Sequence, residues 1–439
     1  MATRIINRIT EAIRERARSF LKIQPAQNVM VNIIEMLDWT GNAIKNEIWY
    51  RGEAWELQQL YSQIDAPNTM FWKASSTANM EIRKIHTGIP GIIVDILTWI
   101  VISDMNDIVV PENREFDWGE IDKENDFKKL LSEAVSDTLI VGDGAFKVSV
   151  DSALSQYPII EWYRGDKVEY RRQRGRIREV VFRSSYEAGS RKYILEEIYG
   201  YGYVTYRLLD SGREVPLGTL EETKDLQPVH FDSSVILAYP LMFFESGKYK
   251  GRGKSIYDSK IDAFDSLDEA WSQWMQALRQ GRSREYIPEN MLPRNPDTGE
   301  ILPPNAFDFA YIETDGKMSE TNPDGIVLHQ PSIPHESYLA TYITALDQAL
   351  EGLVSPSTLG IDVKKLDNAD AQREKEKVTL YTRNKIVSSL QKTLPPLLLG
   401  VFAALDLMRN SFSRIEGEVD VTFGEYANWC YVKKKYKLK

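Results

Sequence analysis

Apolar residues recur at steps of three and four through the first third of the chain, the period of helices lying on a core. Residues 29–64 follow this period and hold an aromatic cluster, Ile48-Trp49-Tyr50-Arg51, followed by Trp55, Leu57, Leu60 and Tyr61. Such rings fill a core or cover a subunit interface, and core packing is the plainer reading. Residues 85–102 predict a second helix with a break at Pro90, and 123–138 a third, ending before the turn Gly142-Asp143-Gly144. From Ala145 to about Phe244 the period falls to two. Residues 146–150 alternate, 168–172 and 177–182 flank the turn Gln173-Arg174-Gly175-Arg176, and 193–199 and 203–209 precede the turn Asp210-Ser211-Gly212. Successive hairpins predict an antiparallel sheet with one solvated face.

Residues 256–280 read as one uninterrupted helix, roughly 38 Å long at 1.5 Å per residue. Tyr257, Ile261, Phe264, Leu267, Trp271, Trp274 and Leu278 form one apolar stripe. Asp258, Asp262, Asp265 and Glu269 form an acidic row about 100° around the same rod. Arg279, Arg282 and Arg284 gather at its C-terminal end, where the helix dipole favours cations. A second rod starts near Pro334, carries Leu339, Tyr342, Ile343, Leu346, Leu350 and Leu353 on one side, and stops at Ser355-Pro356. The insert between the rods is dense in turn signals, such as Pro303-Pro304 and Asn322-Pro323-Asp324-Gly325, with a clear strand pattern only at 307–312. A small knob at the tip of two antiparallel helices is expected. A polar loop, 357–368, holds Gly360, Lys364 and Lys365, and Asp367 or Asn368 can cap a helix over 369–393. Pro395-Pro396 should end that helix, with an apolar helix over 397–408 and a strand-like stretch over 419–423 following. The fold class read from these patterns is α+β.

Composition narrows the function. Of 439 residues 43% are hydrophobic and 27% charged, so the chain can bury a large core. One cysteine, Cys430, and four scattered histidines offer neither a disulfide framework nor a zinc spacing. The longest apolar runs, 91–103 and 395–408, are interrupted by Asp95 and Asp406 and are shorter than a bilayer crossing needs. The N-terminal stretch, with Arg4, Arg8, Arg14, Arg16, Arg18 and Lys22 around an apolar face, reads as a basic docking helix rather than a transit peptide, because Glu11 and Glu15 interrupt it. The formal net charge is −10, where tight binding of DNA calls for a basic excess. Nucleic acid is therefore either irrelevant or must slide past.

The candidate chemistry is thin. Arg171, Arg172, Arg174, Arg176 and Arg178 crowd one hairpin and suit either a nucleic-acid contact or a charged guard on a sheet edge. Glu169 and Glu179 dilute that charge and favour the guard. The run from Gly247 to Lys254-Ser255 leaves five residues where a phosphate loop has four, and Lys248 stands where a glycine is needed. A flexible glycine-rich approach to the long helix is the better reading. Asp262, Asp265 and Glu269 make a stripe rather than a convergent metal cage, and no nucleophile–base motif is visible.

The order of parts resembles the portal proteins of long-tailed bacteriophages. Short matches carry it: Lys250-Gly251-Arg252-Gly253-Lys254-Ser255-Ile256-Tyr257-Asp258, Leu267-Asp268-Glu269-Ala270-Trp271-Ser272-Gln273-Trp274 with Arg279-Gln280-Gly281-Arg282, Ser355-Pro356-Ser357-Thr358-Leu359-Gly360, Asn368-Ala369-Asp370-Ala371-Gln372-Arg373-Glu374, and Ile48-Trp49-Tyr50-Arg51-Gly52. The resemblance implies a wing over 1–245, a first stem helix over 246–282, a clip over 283–333, a second stem helix over 334–354, a tunnel loop over 355–368, a long helix over 369–394 and a reduced crown with a tail over 395–439. It implies a closed ring of about twelve copies at a capsid vertex of the virion, assembled in the host cytoplasm. Implied partners are double-stranded viral DNA in the channel, terminase, the head–tail adaptor, and major capsid and scaffold proteins, with no membrane, cofactor, metal or catalytic residue. Lys364, Lys365, Asp258, Asp262, Asp265 and Glu269 are then the candidates to face DNA. Ile261, Phe264, Trp271, Trp274, Leu339, Ile343, Leu346 and Leu350 are the candidates to pack copies together. The other reading is a DNA-processing, nucleotide-binding enzyme using Lys254 and the basic hairpin.

Overall fold

A computed structural model describes residues 38–64, 69–74, 82–189, 191–281, 284–288, 294–301, 311–314, 327–329, 331–361, 369–409 and 419–424. The predicted N-terminal basic helix, the loop lysines Lys364 and Lys365, the strand pattern at 307–310, most of the clip and the lysine-rich end lie outside these residues. The architecture is α+β.

The apolar 3.6-residue period becomes α1 (Trp39–Arg51), α2 (Ala54–Gln63), α3 (Ile89–Ser103), α4 (Glu115–Asn125) and α5 (Phe127–Val141). The first predicted helix is two, because Gly52 takes φ 70 and caps α1 through its amide on the Ile48 carbonyl. Asp126, at φ 46, likewise separates α4 from α5. Trp49, Leu57 and Tyr61 are buried, so the aromatic cluster is core, whereas Trp55 stands exposed.

The alternating segments form two sheets. β1 (Asp143–Ser149) lies antiparallel between β2 (Ile159–Arg164) and β9 (Ala238–Met242). β3 (Val168–Gln173), β4 (Arg176–Ala188), β5 (Arg191–Gly200), β6 (Tyr203–Asp210) and β7 (Arg213–Val215) form an antiparallel meander, and β8 (Val229–His230) pairs with β6. Its first turn holds Arg174 at φ 52 and Gly175 at φ 80, the left-handed pair of a two-residue hairpin. β3 is an edge strand, as the charged-guard reading requires.

Beyond β9 the chain enters α6 (Ile261–Gln280), passes β10 (Arg284–Pro288), β11 (Tyr311–Thr314) and β12 (Val327–His329), and returns through α7 (His335–Leu350). Helix α6 starts five residues later than its apolar stripe predicts, and is about 30 Å long. Residues 256–260 are turns, because Ile256 and Tyr257 are buried by long-range bonds to the Leu139 and Pro90 carbonyls instead. α6 and α7 run antiparallel: Lys260 Nζ meets the Gln348 carbonyl at one end, and Gly281 abuts Ile333 at the other. The three strands between them form one sheet, with β10 parallel to β11 and antiparallel to β12.

The last long element, α8 (Ala369–Met408), corrects the expectation of two helices, since it runs through Pro395 and Pro396. Tertiary packing holds it: Ile386, Leu390, Leu394, Leu397, Leu398 and Val401 are buried, and the helix lies on β9, β1 and α3. That continuity makes residues 376–408 long and apolar enough to cross a bilayer, which the two shorter runs were not, but half of the apolar window is buried inside this chain. Residues 419–424 bridge back to 105–109.

Candidate functional site

Two structural nodes fasten the α6–α7 hairpin to the body, and both are built from carboxylates. Gly251-Arg252-Gly253 lies against the start of β1. The Arg252 guanidinium donates to both Asp143 oxygens (3.0 and 2.8 Å), to the Gly165 carbonyl (2.6 Å) and to the Val168 carbonyl (2.8 Å). It stacks 3.6 Å from the Trp39 ring centroid and 4.9 Å from that of Tyr170. The Gly253 amide donates to Asp143 at 2.5 Å, and its carbonyl accepts from Trp39 Nε1 at 3.0 Å. A Cβ on Gly253 would lie 2.0 Å from the Gly142 carbonyl oxygen, so only glycine fits there. Burial pushes the Asp143 carboxyl up, while Arg252 and the Gly253 amide oppose that shift. The glycine-rich run is therefore a tightly bonded knot, correcting the expectation of a flexible approach. Its Lys254 amide is held by the Phe244 carbonyl.

The second node lies along α6. The row Asp258, Asp262, Asp265, Glu269 does not share one environment. Asp258 accepts from Asn42 (2.8 Å) and Asn46 (3.1 Å) of α1, and Asp265, 6% exposed, accepts from the Phe71 and Trp72 amides (2.9 and 3.2 Å). Burial pushes the Asp265 carboxyl up, against those two amides. Both carboxylates are engaged in holding the body to the hairpin, Asp265 buried and Asp258 half-buried. Asp262 is exposed, and Glu269 is half-buried with Gln273 donating to it. Asp268, which the row omitted, is fully buried and accepts from Trp72 Nε1 (3.1 Å), the Thr87 amide (2.8 Å) and the Thr87 hydroxyl (2.9 Å), with His86 Nδ1 2.6 Å away.

The apolar stripes divide in the same way. Phe264, Leu346 and Leu350 are buried within this chain, Phe264 against Trp49 and Tyr257, so their packing partners are internal rather than a neighbouring copy. Ile261 is half-buried against the same core. Trp271 and Trp274 cluster with Tyr342, centroids 5.3 and 6.3 Å away, and stay half-buried. Ile343 is half-buried, Leu339 exposed.

Two ion pairs lock α8 in place: Arg383 donates to Asp104 (2.8 Å), and Arg114 donates to both oxygens of Asp406 (2.8 and 2.7 Å). Sequence reasoning named none of these pairs. The one available signal was Asp406 interrupting an apolar run, since a carboxylate is seldom buried without a partner.

A cleft of about 1730 Å³ opens between α1–α2 and strands β2, β4 and β5. Several of its charges pair with one another: Arg51 bridges Glu47 and Glu56, and Arg164 bridges Glu47 and Asp166. In its wall Asp137 accepts from Trp162 Nε1 (2.9 Å), and burial pushes its pKa up to about 6 against that bond. A raised carboxyl favours folding below its unfolded pKa near 4, and that contribution disappears as pH rises through about 6. Asp137→Asn is expected to keep the Trp162 bond, to raise stability by about 1–2 kcal/mol at pH 7, and to flatten its pH dependence between about 4 and 6. Melting curves of both proteins across that range check this; parallel curves would refute it. Among the described residues no group of three or more His, Cys, Asp or Glu is placed to hold a metal ion.

The fold and its nodes define a class: an α+β body bearing an antiparallel helical hairpin with a small sheet at its tip. No protein-family model matches the chain, and no curated protein matches it. Among solved structures it is similar to a chain in the neck of a native gene transfer agent (GTA) particle computed with C12 symmetry. That similarity has 13% identity and a TM-score of 0.37, covering 80% of this chain and 86% of the other. It is also similar to a chain in the virion of a native gene transfer agent particle, with 13% identity and a TM-score of 0.38, covering 90% of this chain and 87% of the other.

Proposed function

We propose that this chain is the portal subunit of a phage-like particle, a structural ring component that forms the DNA channel at one capsid vertex and performs no chemistry. The observation carrying this reading is the α6–α7 hairpin. Its base is bolted to the body by Asp258, Asp265 and Asp268, while its outer half keeps Trp271, Trp274 and Tyr342 half-buried and leaves Leu278 and Leu339 exposed. A rigid rod with an uncovered apolar flank suits packing against copies of itself, and repetition around an axis closes a ring. The body is then the wing, the hairpin the stem, the tip sheet the clip that meets terminase and the head–tail adaptor, and 355–368 the tunnel loop. Asp262 and Glu269 remain the acidic candidates facing DNA, where like charge keeps phosphate from binding too firmly to move. Lys364 and Lys365 supply brief phosphate contacts.

Light scattering and negative-stain images of the purified chain are expected to show hollow rings of about twelve copies. Trp274→Glu is expected to leave monomers with an unchanged circular dichroism spectrum. A wild-type chain that stays monomeric, both alone and with scaffold and capsid protein, would overturn the proposal. ATP turnover abolished by replacing Lys254 would instead favour the enzyme.

A further inference from the structure

The arginine-rich hairpin is only partly explained by guarding a sheet edge. Lower on it, Arg171 pairs with Glu169 and Glu179 (both 3.2 Å), and Arg183 pairs with Glu169 and Glu196. At its end Arg172, Arg174, Arg176 and Arg178 are exposed, and among the described residues none pairs with a carboxylate. The exposed Lys248 and Lys250 adjoin them, because Arg172 Nη2 donates to the Gly251 carbonyl at 3.1 Å. Six cations thus share one end of the body in a chain of net charge −10. The carboxylates of the hairpin are already engaged: Glu179 is taken by Arg171 and by the Tyr203 hydroxyl at 2.5 Å, and Glu169 by Arg171 and Arg183.

Turn chemistry does not account for these residues. Arg174 occupies a left-handed position where asparagine or glycine is favoured, so the cation stands there against backbone preference. Residues 172–176, Arg-Gln-Arg-Gly-Arg, offer no apolar anchor of the kind that dominates protein–protein contacts. A two-stranded ribbon with guanidinium groups on both faces fits the major groove of duplex DNA, where phosphates line both sides.

We infer that the β3–β4 hairpin end, with Lys248 and Lys250, is a sequence-blind binding site for the phosphodiester backbone of duplex DNA, on the body and separate from the proposed channel. Contacts to about five phosphates give a salt slope near −4.5, or roughly a 500-fold loss of affinity from 50 to 200 mM salt. Fluorescence anisotropy of the full chain with a labelled duplex of mixed sequence is expected to show this loss equally for unrelated sequences. The variant R174Q/R176Q/R178Q/K248Q/K250Q, which spares the Arg172 bond, is expected to flatten the slope by about four, and R174Q/R176Q alone by about two. Unchanged slopes in both variants overturn the site. So does polyglutamate of matched charge competing as well as unlabelled duplex, which would assign the patch to an acidic protein. A chain that forms no rings yet binds duplex through this hairpin sinks the portal reading and leaves this site standing; rings whose DNA affinity ignores the hairpin do the reverse.

Discussion

Replacing Asp143 by alanine is expected to destabilise the folded chain by about 3–5 kcal/mol, the range for removing one partner of a buried ion pair. Asp143 is fully buried, and its loss strands the Arg252 guanidinium between the Trp39 and Tyr170 rings and leaves the Gly253 amide without its acceptor. Three separate stretches, α1, the start of β1 and the lead into α6, lose their common centre. Asp143→Ala with Arg252→Leu removes the stranded charge and is expected to recover a large part of the loss, so the two substitutions should be strongly non-additive. Urea unfolding of the two single variants and the double variant measures this. A single-variant effect below about 1 kcal/mol, or strict additivity, would show that the knot is not a stability centre.

Asp268→Ala is expected to cost a similar amount, about 3–5 kcal/mol, since it leaves a buried indole N–H, a backbone amide and a hydroxyl without acceptors at once. The damage has a location. The Thr87 and Trp72 donors belong to segments that lie on α6 with little regular structure of their own. Hydrogen exchange should therefore show the Thr87 amide losing protection while amides in β4 and β5 keep theirs. Asp268→Asn retains one acceptor oxygen and is expected to lose about half as much. Wild-type protection at Thr87 in the alanine variant would mean that the apolar contacts of α6 hold this segment unaided.

Much of the plan was legible because it rests on local periodicity. The two rods and the hairpins at Arg174-Gly175 and Ser211-Gly212 follow from apolar spacing and turn residues, which act within a few positions of the chain, whereas β10 and β12 at the tip carried no such pattern. The acidic row divides between environments for the same reason. Period alone sets Asp258, Asp262, Asp265 and Glu269 on one side of a rod, yet Asp265 turns to amides at Phe71 and Trp72, nearly two hundred positions earlier in the chain. Nothing within one helical turn of Asp265 announces those donors.

The prolines make the same point from the other direction. Locally, Pro395-Pro396 removes two backbone donors and should stop a helix. In the fold α8 continues, because Leu394, Leu397, Leu398 and Val401 are all buried and Arg114 fixes Asp406 beyond the break. Burial over several turns outweighs about 3 kcal/mol of propensity per proline.

The sequence by itself determined the classes of element, the two amphipathic rods and the absence of a recognisable catalytic spacing, since each is set by side chains a few residues apart. Only the tertiary structure decided which charges are solvated and which are consumed as internal bolts, and which half of each apolar stripe remains uncovered. Those outcomes depend on what lies opposite, and a chain's long-range neighbours are fixed by packing rather than by spacing.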